Sequence, residues 1–196
     1  MIAMIEIVSA YWIKIFITLV IFVALIVLFL KSSGAKSNVS AAELVKKELD
    51  RLGDSYIVFD NVIVQSDRGM SHISHVVVSP YGVFVVTLCD LRGKISGHRD
   101  DREWIVKDRG VNDTILNPLW ENRKHINTLE KKLGSQPFIP AVVFTHAKLI
   151  DDFGPIAICV GQLKKFFIGY TRRLINPDDI ESVSGILSKG VERPPL

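Results

Sequence analysis

Four basic side chains near the carboxyl end of the chain form its clearest candidate binding surface. They are interleaved with aromatic residues, and the four are Lys164, Lys165, Arg172 and Arg173. Such a cluster can bind DNA phosphates or anionic lipid headgroups. The same spacing also predicts a helix over 162–175 with its aromatic residues in the core and its charges in solvent. We favour the helix interpretation, because helical spacing alone accounts for every residue.

The two thiols are the next candidates for chemistry. Cys89 and Cys159 are the only cysteines in the sequence. Two cysteines are too few for a disulfide-built scaffold, and too few for a structural zinc site without help from histidine. No sequence context lowers the pKa of Cys89, and a free cysteine is usually a small buried hydrophobe. We therefore predict that Cys89 packs rather than reacts.

Glu43 is a carboxylate with both a structural and a catalytic interpretation. It stands three residues after Ser40, which is the spacing of a capping box at the start of a helix. Leu44, Val45 and Leu49 then recur at helical intervals up to Gly53. Capping accounts for Glu43 better than catalysis does.

Composition limits the class of protein. The chain has 196 residues, of which 48% are hydrophobic and 23% charged, so it is long enough for one ordinary packed domain. The formal net charge of +3 is far below that of a protein that wraps nucleic acid, so charge alone does not argue for polyanion binding. The positive mean hydropathy of +0.27 indicates a membrane segment.

Residues 7–30 predict a single transmembrane anchor, in which Lys14 is the only charged residue. A cleaved signal peptide is the alternative, but the apolar run is long and no basic region precedes it. Lysines are more frequent after the span than before it, which places the bulk of the chain in the cytoplasm. A flexible linker follows over 31–39. The predicted partner of this segment is the lipid bilayer. The chain is therefore predicted to be a single-pass membrane protein.

The remaining chain alternates strand and helix patterns. Five segments rich in β-branched and aromatic residues predict strands, at 56–65, 73–79, 83–89, 94–98 and 104–107. Asn117-Pro118 predicts the start of a helix that ends before Gly134. Buried strands over 141–145 and 156–160 and helices over 162–175 and 177–187 follow. This order predicts an α/β fold with a mixed sheet flanked by helices.

Several separated landmarks resemble the nuclease-related domain (NERD) family. They are the segments 72–79, 82–86, 91–97 and 117–122, together with Trp104. The resemblance covers residues 41–150, and 162–188 is compatible with the helical tail of such domains, which predicts one domain over 40–190. The family is similar to restriction-endonuclease-like enzymes, which implies a mixed sheet whose neighbouring strands carry the metal ligands.

The resemblance also implies a chemistry. Hydrolysis of a phosphodiester needs a hard divalent cation, usually Mg²⁺, held by carboxylate oxygens next to the scissile phosphate. The family supplies an Asp in an Ile-Asp-His triplet and a Glu-x-Lys pair on the next strand. Residues two apart on a strand share a face, so the Glu and the Lys both reach the metal.

This sequence departs from the family at all three positions. The Asp is replaced by Ser74, the Glu by Thr87 and the Lys by Cys89, while Glu43 in the first helix retains an acid. His75 matches the family's own histidine, and we interpret it as a hydrogen-bonding residue of the sheet. Neutral hydroxyls do not replace two carboxylates around Mg²⁺. We therefore expect no catalytic residues, no metal and no cofactor at the usual position.

Three functions follow from this pattern. The first is a membrane-anchored, catalytically inactive NERD domain that acts as a binding or scaffold module, with DNA or another protein as its partner. The second is a Mg²⁺-dependent nuclease with a relocated site built from Glu43, Asp90 and Glu121, although Asp90 faces away from Cys89 on its strand. The third is a membrane-tethered domain that only binds nucleic acid.

Overall fold

The computed structural model describes residues 40–66 and 69–190, all within a compact unit that begins at Ser40. Eleven helices and strands and one short 3₁₀ turn make up this part of the chain. In chain order they are α1 (Ala41–Leu49), β1 (Ile57–Ser66), β2 (Gly69–Ser79), β3 (Gly82–Ser96), β4 (Glu103–Asp108), β5 (Val111–Leu116), α2 (Pro118–Leu133), β6 (Phe138–Leu149), β7 (Ala157–Cys159), the 3₁₀ turn (Val160–Gln162), α3 (Leu163–Ile168) and α4 (Pro177–Gly190).

The helices α1 and α2 begin where the sequence supplies a cap. The Ser40 hydroxyl accepts a hydrogen bond from the Glu43 backbone, and the Glu43 carboxylate accepts one from the Ser40 backbone, so the predicted capping box is confirmed. At the start of α2 the Asn117 side chain accepts from Leu119 N, and Pro118 occupies the first turn, where no backbone donor is needed.

Seven strands form one mixed sheet. β1 to β5 pair in chain order, each antiparallel to the next, while β6 pairs in parallel with β3 and then with β7. β6 runs along β3 from Val83 to Ile95, so β2 and β4 must share the opposite edge of β3. β2 occupies that edge up to Val86 and β4 joins it at Lys94. We call the intervening stretch of this edge, residues 87–93, the fork.

Helices cover both faces of the sheet. Val45 of α1 and Phe167 of α3 pack with Phe84 and Val86 on one face. The helices α2 and α4 pack on the other face in a second cluster, which contains Leu129 and Leu187. A third cluster around Trp104, Phe144 and Phe153 starts at Cys89 of the fork. The predicted arrangement of a mixed sheet flanked by helices is confirmed.

Two strand predictions need correction. The separate segments 83–89 and 94–98 are one strand, β3, whose register with β6 shifts between Cys89 and Arg92. β5 was not predicted, because Val111–Leu116 carries polar residues and is almost entirely exposed. Its stability comes from backbone pairing with β4, which leaves no hydrophobic pattern in the sequence.

The helix predicted over 162–175 is wrong beyond Ile168. α3 ends there, and the Gly169 N–H caps the carbonyls of Lys165 and Phe166. The N–H groups of Leu174 and Ile175 both donate to the carbonyl of Pro80 in the β2–β3 turn. These long-range bonds hold the backbone out of the helix that local spacing favours.

The predicted anchor at 7–30 and linker at 31–39 lie outside the described residues and stay predictions. Within 40–66 and 69–190, no helix combines the length and apolar character needed to cross a bilayer.

Candidate functional site

The three family positions lie on two neighbouring strands at the fork. Ser74 lies on β2 just beyond the last residue that pairs with β3, and its hydroxyl accepts a hydrogen bond of 3.3 Å from Leu88 N. Leu88 is flanked on β3 by Thr87 and Cys89. The serine hydroxyl therefore provides an acceptor for a backbone N–H on the part of the β3 edge that no longer pairs with β2.

Thr87 is buried in a network of neutral polar groups. Only 4% of its surface is exposed. Its Oγ1 accepts a hydrogen bond of 3.0 Å from Asn122 Nδ2 and lies 3.2 Å from His125 Nδ1, both on α2. Burial lowers the pKa of His125, while the nearby Glu121 carboxylate raises it in part. The histidine is therefore held towards its neutral form beside the hydroxyl.

Cys89 is packed rather than presented to solvent. It is 8% exposed and belongs to the apolar cluster of Trp104 and Phe144. Burial, with a smaller contribution from the Glu121 carboxylate, raises the pKa of its thiol to about 12. At neutral pH this side chain is an uncharged, weak ligand, as the packing prediction requires.

The donor set at the fork does not fit the cation that the family resemblance implies. Ser74 and Thr87 offer neutral hydroxyls that already have hydrogen-bond partners, and Cys89 offers a protonated thiol. Mg²⁺ gives up its water reluctantly and is bound through carboxylate oxygens. A hard divalent cation has no anionic ligand at these three positions.

Comparison with known proteins places the chain in a family. The model of the nuclease-related domain matches residues 34–145, which is more than half of the chain. The chain belongs to the nuclease-related domain family. It is also 27% identical over 166 residues to an uncharacterized protein of Bacillus anthracis, an alignment that covers 77% of this chain and 78% of that protein. No solved structure matches the chain.

The structure does not bring the proposed relocated ligands of this NERD domain together. Glu43 caps α1 and lines a hollow with Ser74. Glu121 lines a different groove, with His125 and Lys124. Asp90 lies beyond both, where its Oδ1 is 2.8 Å from His146 Nδ1. Across residues 40–66 and 69–190, no three His, Cys, Asp or Glu side chains are grouped so that they could hold a metal ion.

A partly buried network of one acid, one lysine and one histidine in the NERD domain was missed by the sequence analysis. Asp60 on β1 stands opposite His75 on β2, and Asp60 Oδ1 lies 2.8 Å from His75 Nδ1. The second oxygen of Asp60 accepts from Lys46 Nζ on α1, also at 2.8 Å. The only signal in the sequence was the single charge at Asp60 within an otherwise uncharged strand. The interpretation of His75 as a hydrogen-bonding sheet residue is confirmed.

Opposing effects set the protonation of this network. Burial by itself raises the pKa of Asp60, but hydrogen bonds from Lys46 and His75 outweigh it and the pKa lies below its usual value. Burial lowers the pKa of His75, and the bond to Asp60 only partly offsets this effect. A neutral His75 that donates from Nδ1 leaves Nε2 as an acceptor. That atom is buried and has no hydrogen-bond partner in the described chain.

The four predicted polyanion-binding residues do not lie on one helix. Lys164 and Lys165 are on α3, whereas Arg172 and Arg173 are in the non-helical connection to α4. All four are exposed. The interleaved aromatic residues do pack inward, since the Phe167 ring lies 4.3 Å from that of Phe84. The part of the prediction that placed the aromatic residues in the core is confirmed, and the continuous helix is not.

Proposed function

We propose that the chain is a membrane-anchored, catalytically inactive NERD protein that acts as a binding or scaffold module. The observation that supports it is the hydrogen bond from Asn122 to Thr87, where the family pattern has a metal-binding Glu. A buried hydroxyl held by an amide and a neutral histidine cannot offset the dehydration of Mg²⁺. The protonated thiol of Cys89 adds no charge to the position.

The sheet supports the idea that the fold has outlasted the reaction. The family resemblance implies that two neighbouring strands of the sheet carry the metal ligands. Ser74 on β2 and Thr87 and Cys89 on β3 occupy such neighbouring strands, and the Ser74 hydroxyl accepts a hydrogen bond from Leu88 N at the fork. What differs is the charge of the side chains, because all three are neutral.

A cleavage assay on the full chain in detergent tests the loss of catalysis. Supercoiled plasmid incubated with the protein and Mg²⁺ or Mn²⁺ is expected to remain uncut. The matched variants are Thr87→Ala at the fork, Glu43→Gln at the retained acid and Thr128→Ala on the exposed side of α2. Nicking that Thr87→Ala or Glu43→Gln abolishes and Thr128→Ala preserves would overturn the proposal.

Membrane attachment through residues 7–30 is a separate part of the proposal, supported by their apolar sequence. The full chain is expected to stay in the membrane pellet after alkaline extraction, while a chain that begins at Ser40 is expected in the supernatant. A reporter fused after Leu196 that works only in the cytoplasm is expected to be active. An inactive reporter would contradict the cytoplasmic orientation, and extraction of the full chain would contradict the anchor.

A further inference from the structure

A hollow separate from the fork lies between α2 and the segment that follows β6. Its volume is about 470 Å³, within the range of small-molecule sites in proteins. One wall is formed by Trp120 and Arg123 of α2, and the other by Phe153 and Pro155. Arg99, before β4, also lines it. The hollow therefore combines a flat aromatic ring, two cations and an apolar wall.

Trp120 is exposed although it is one of the largest apolar side chains. It is 45% exposed on the first turn of α2. In contrast to Trp104, whose ring lies 4.3 Å from that of Phe153, its ring contacts no other aromatic ring within the described residues. Exposure of an unstacked indole to water is unfavourable. Stacking of another flat ring on it is favourable. Trp120 is therefore a free stacking platform.

The charge of the hollow suits an anion with hydroxyl groups. Arg123 has no carboxylate within ion-pair distance in the part of the chain that the structure describes, and Arg99 Nε lies 3.5 Å from Asp100 Oδ2. Guanidinium groups bind phosphate through paired N–H donors. Asp100 also lines the hollow, and its carboxylate can accept from hydroxyl groups such as those of a ribose.

Asn122 is a buried polar residue in the wall of the same hollow. The residue is fully buried and lines the hollow, and its Nδ2 donates to the carbonyls of Val85 and Ala141 as well as to Thr87. These acceptors fix the orientation of the amide, because a flipped amide would set oxygen against oxygen. The Oδ1 atom is buried without a partner among the described residues. An unpaired buried acceptor costs free energy in the folded state.

We infer that this hollow binds a nucleotide, with the base stacked on Trp120 and the phosphate on Arg123 and Arg99. A nucleotide supplies a flat ring for Trp120, an anion for the two arginines and ribose hydroxyls for Asp100. The inference rests on the proposed function in that it names a ligand for the binding module. The nucleotide is either free in solution or part of a single strand, since both present the same chemistry.

Calorimetric titration of the full chain in detergent tests the inference. AMP is the probe, adenosine supplies the ring without the phosphate, and ribose 5-phosphate supplies the phosphate without the ring. We expect AMP to bind more tightly than either part. Trp120→Ala is expected to weaken AMP by about 5-fold or more, since stacking on one aromatic side chain contributes about 1–3 kcal/mol per base. Arg123→Gln is expected to weaken the binding of AMP and to leave the binding of adenosine unchanged.

Arg109→Gln is the matched control, because Arg109 is exposed in the β4–β5 turn and does not line the hollow. Circular dichroism checks that every variant is folded. A short single-stranded oligonucleotide distinguishes a free nucleotide from a nucleotide within a strand. If the oligonucleotide binds more tightly than AMP and this binding is lost in Trp120→Ala and Arg123→Gln, the ligand is a single strand. Otherwise the ligand is the free nucleotide. The inference is overturned if neither AMP nor the oligonucleotide binds at about 1 mM, or if both variants bind as the parent does. Plasmid cleavage is measured separately, so a failure here leaves the proposed loss of catalysis standing.

Discussion

His75 Nδ1 and Asp60 Oδ1 are 2.8 Å apart across the β1–β2 pair, and this contact fixes a histidine whose side chain is only 6% exposed. Lys46 reaches the same carboxylate from α1, so one acid connects a helix to two strands. The network lies beside Ser74 in a hollow of about 300 Å³. Its contribution to stability can be measured directly.

Replacement of Asp60 should destabilise the domain. Asp60→Ala leaves the buried His75 Nδ1 without its partner, which costs about 1–3 kcal/mol of the free energy of unfolding. Asp50→Ala is the control, because Asp50 forms only a longer, exposed pair with Lys46 at 3.7 Å and should change stability by less than about 0.5 kcal/mol. Urea denaturation followed by circular dichroism measures both values. Equal losses in the two variants would contradict the role of the network.

Acid should weaken the fold in the pH range where histidine titrates. The pKa values of His75 and His125 are both lowered in the folded chain, first of all by burial. Below about pH 6.5 the unfolded chain therefore takes up protons that the folded chain resists, and the free energy of unfolding falls. The lowered pKa of Asp60 acts in a separate window, since its contribution is lost only below about pH 4.

Urea denaturation at a series of pH values between about 5 and 8 measures this slope. His125→Asn should reduce it, and His98→Asn, at an exposed position, is the control for the substitution itself. A free energy of unfolding that stays constant down to about pH 5 would show that the two buried histidines are not held neutral.

The two cysteines should differ sharply in reactivity. With a pKa of about 12, Cys89 is a thiolate in only about one molecule in ten thousand at pH 8, and it is also buried. Cys159 is partly exposed. Titration with a disulfide reagent should modify one thiol quickly in the folded chain and two in denaturant. In Cys159→Ser no fast reaction should remain, and a fast reaction in that variant would contradict the packing of Cys89.

Gly93 should tolerate no side chain. It has φ +91° next to the register shift between β3 and β6, and an added Cβ would collide with the Lys107 carbonyl oxygen and lie 2.9 Å from Asp108 Cβ. Gly93→Ala is expected to cost about 2–5 kcal/mol. Gly110→Ala is the control, because Gly110 has a similar φ of +86° but open space around it, and should cost only about 1–2 kcal/mol of backbone strain. Thermal denaturation compares the two, and equal losses would remove the steric explanation.

The predictable parts of the fold are those with strong local signals. The capping box at Ser40, the Asn117-Pro118 helix start and the apolar core strands were all identified, because local hydrogen bonds and hydrophobic periodicity encode them. The end of α3 was not identified, because it depends on hydrogen bonds from Leu174 and Ile175 to Pro80, which lies more than ninety positions away in the chain. Strand β5 was not identified either, because pairing through the backbone leaves no pattern in the side chains.

The candidate site divides in the same way. That Ser74, Thr87 and Cys89 are neutral residues in the place of the family's ligands can be read from their identities. The hydrogen-bond partners of these residues cannot be read from the sequence. Asn122 and His125 lie more than thirty positions from Thr87 and meet it only when α2 packs on the sheet. The same packing creates the hollow beside Trp120, whose walls come from four separate segments.

The sequence by itself determined the composition of the site, since a side chain has the same charge and hydrogen-bonding groups wherever it is placed. The tertiary structure decided which groups meet and how dry their surroundings are. Both matter for chemistry, because burial raises the pKa of Cys89 and lowers that of His75. Burial depends on long-range packing, so these protonation states could be assigned only once the strands and helices were in place.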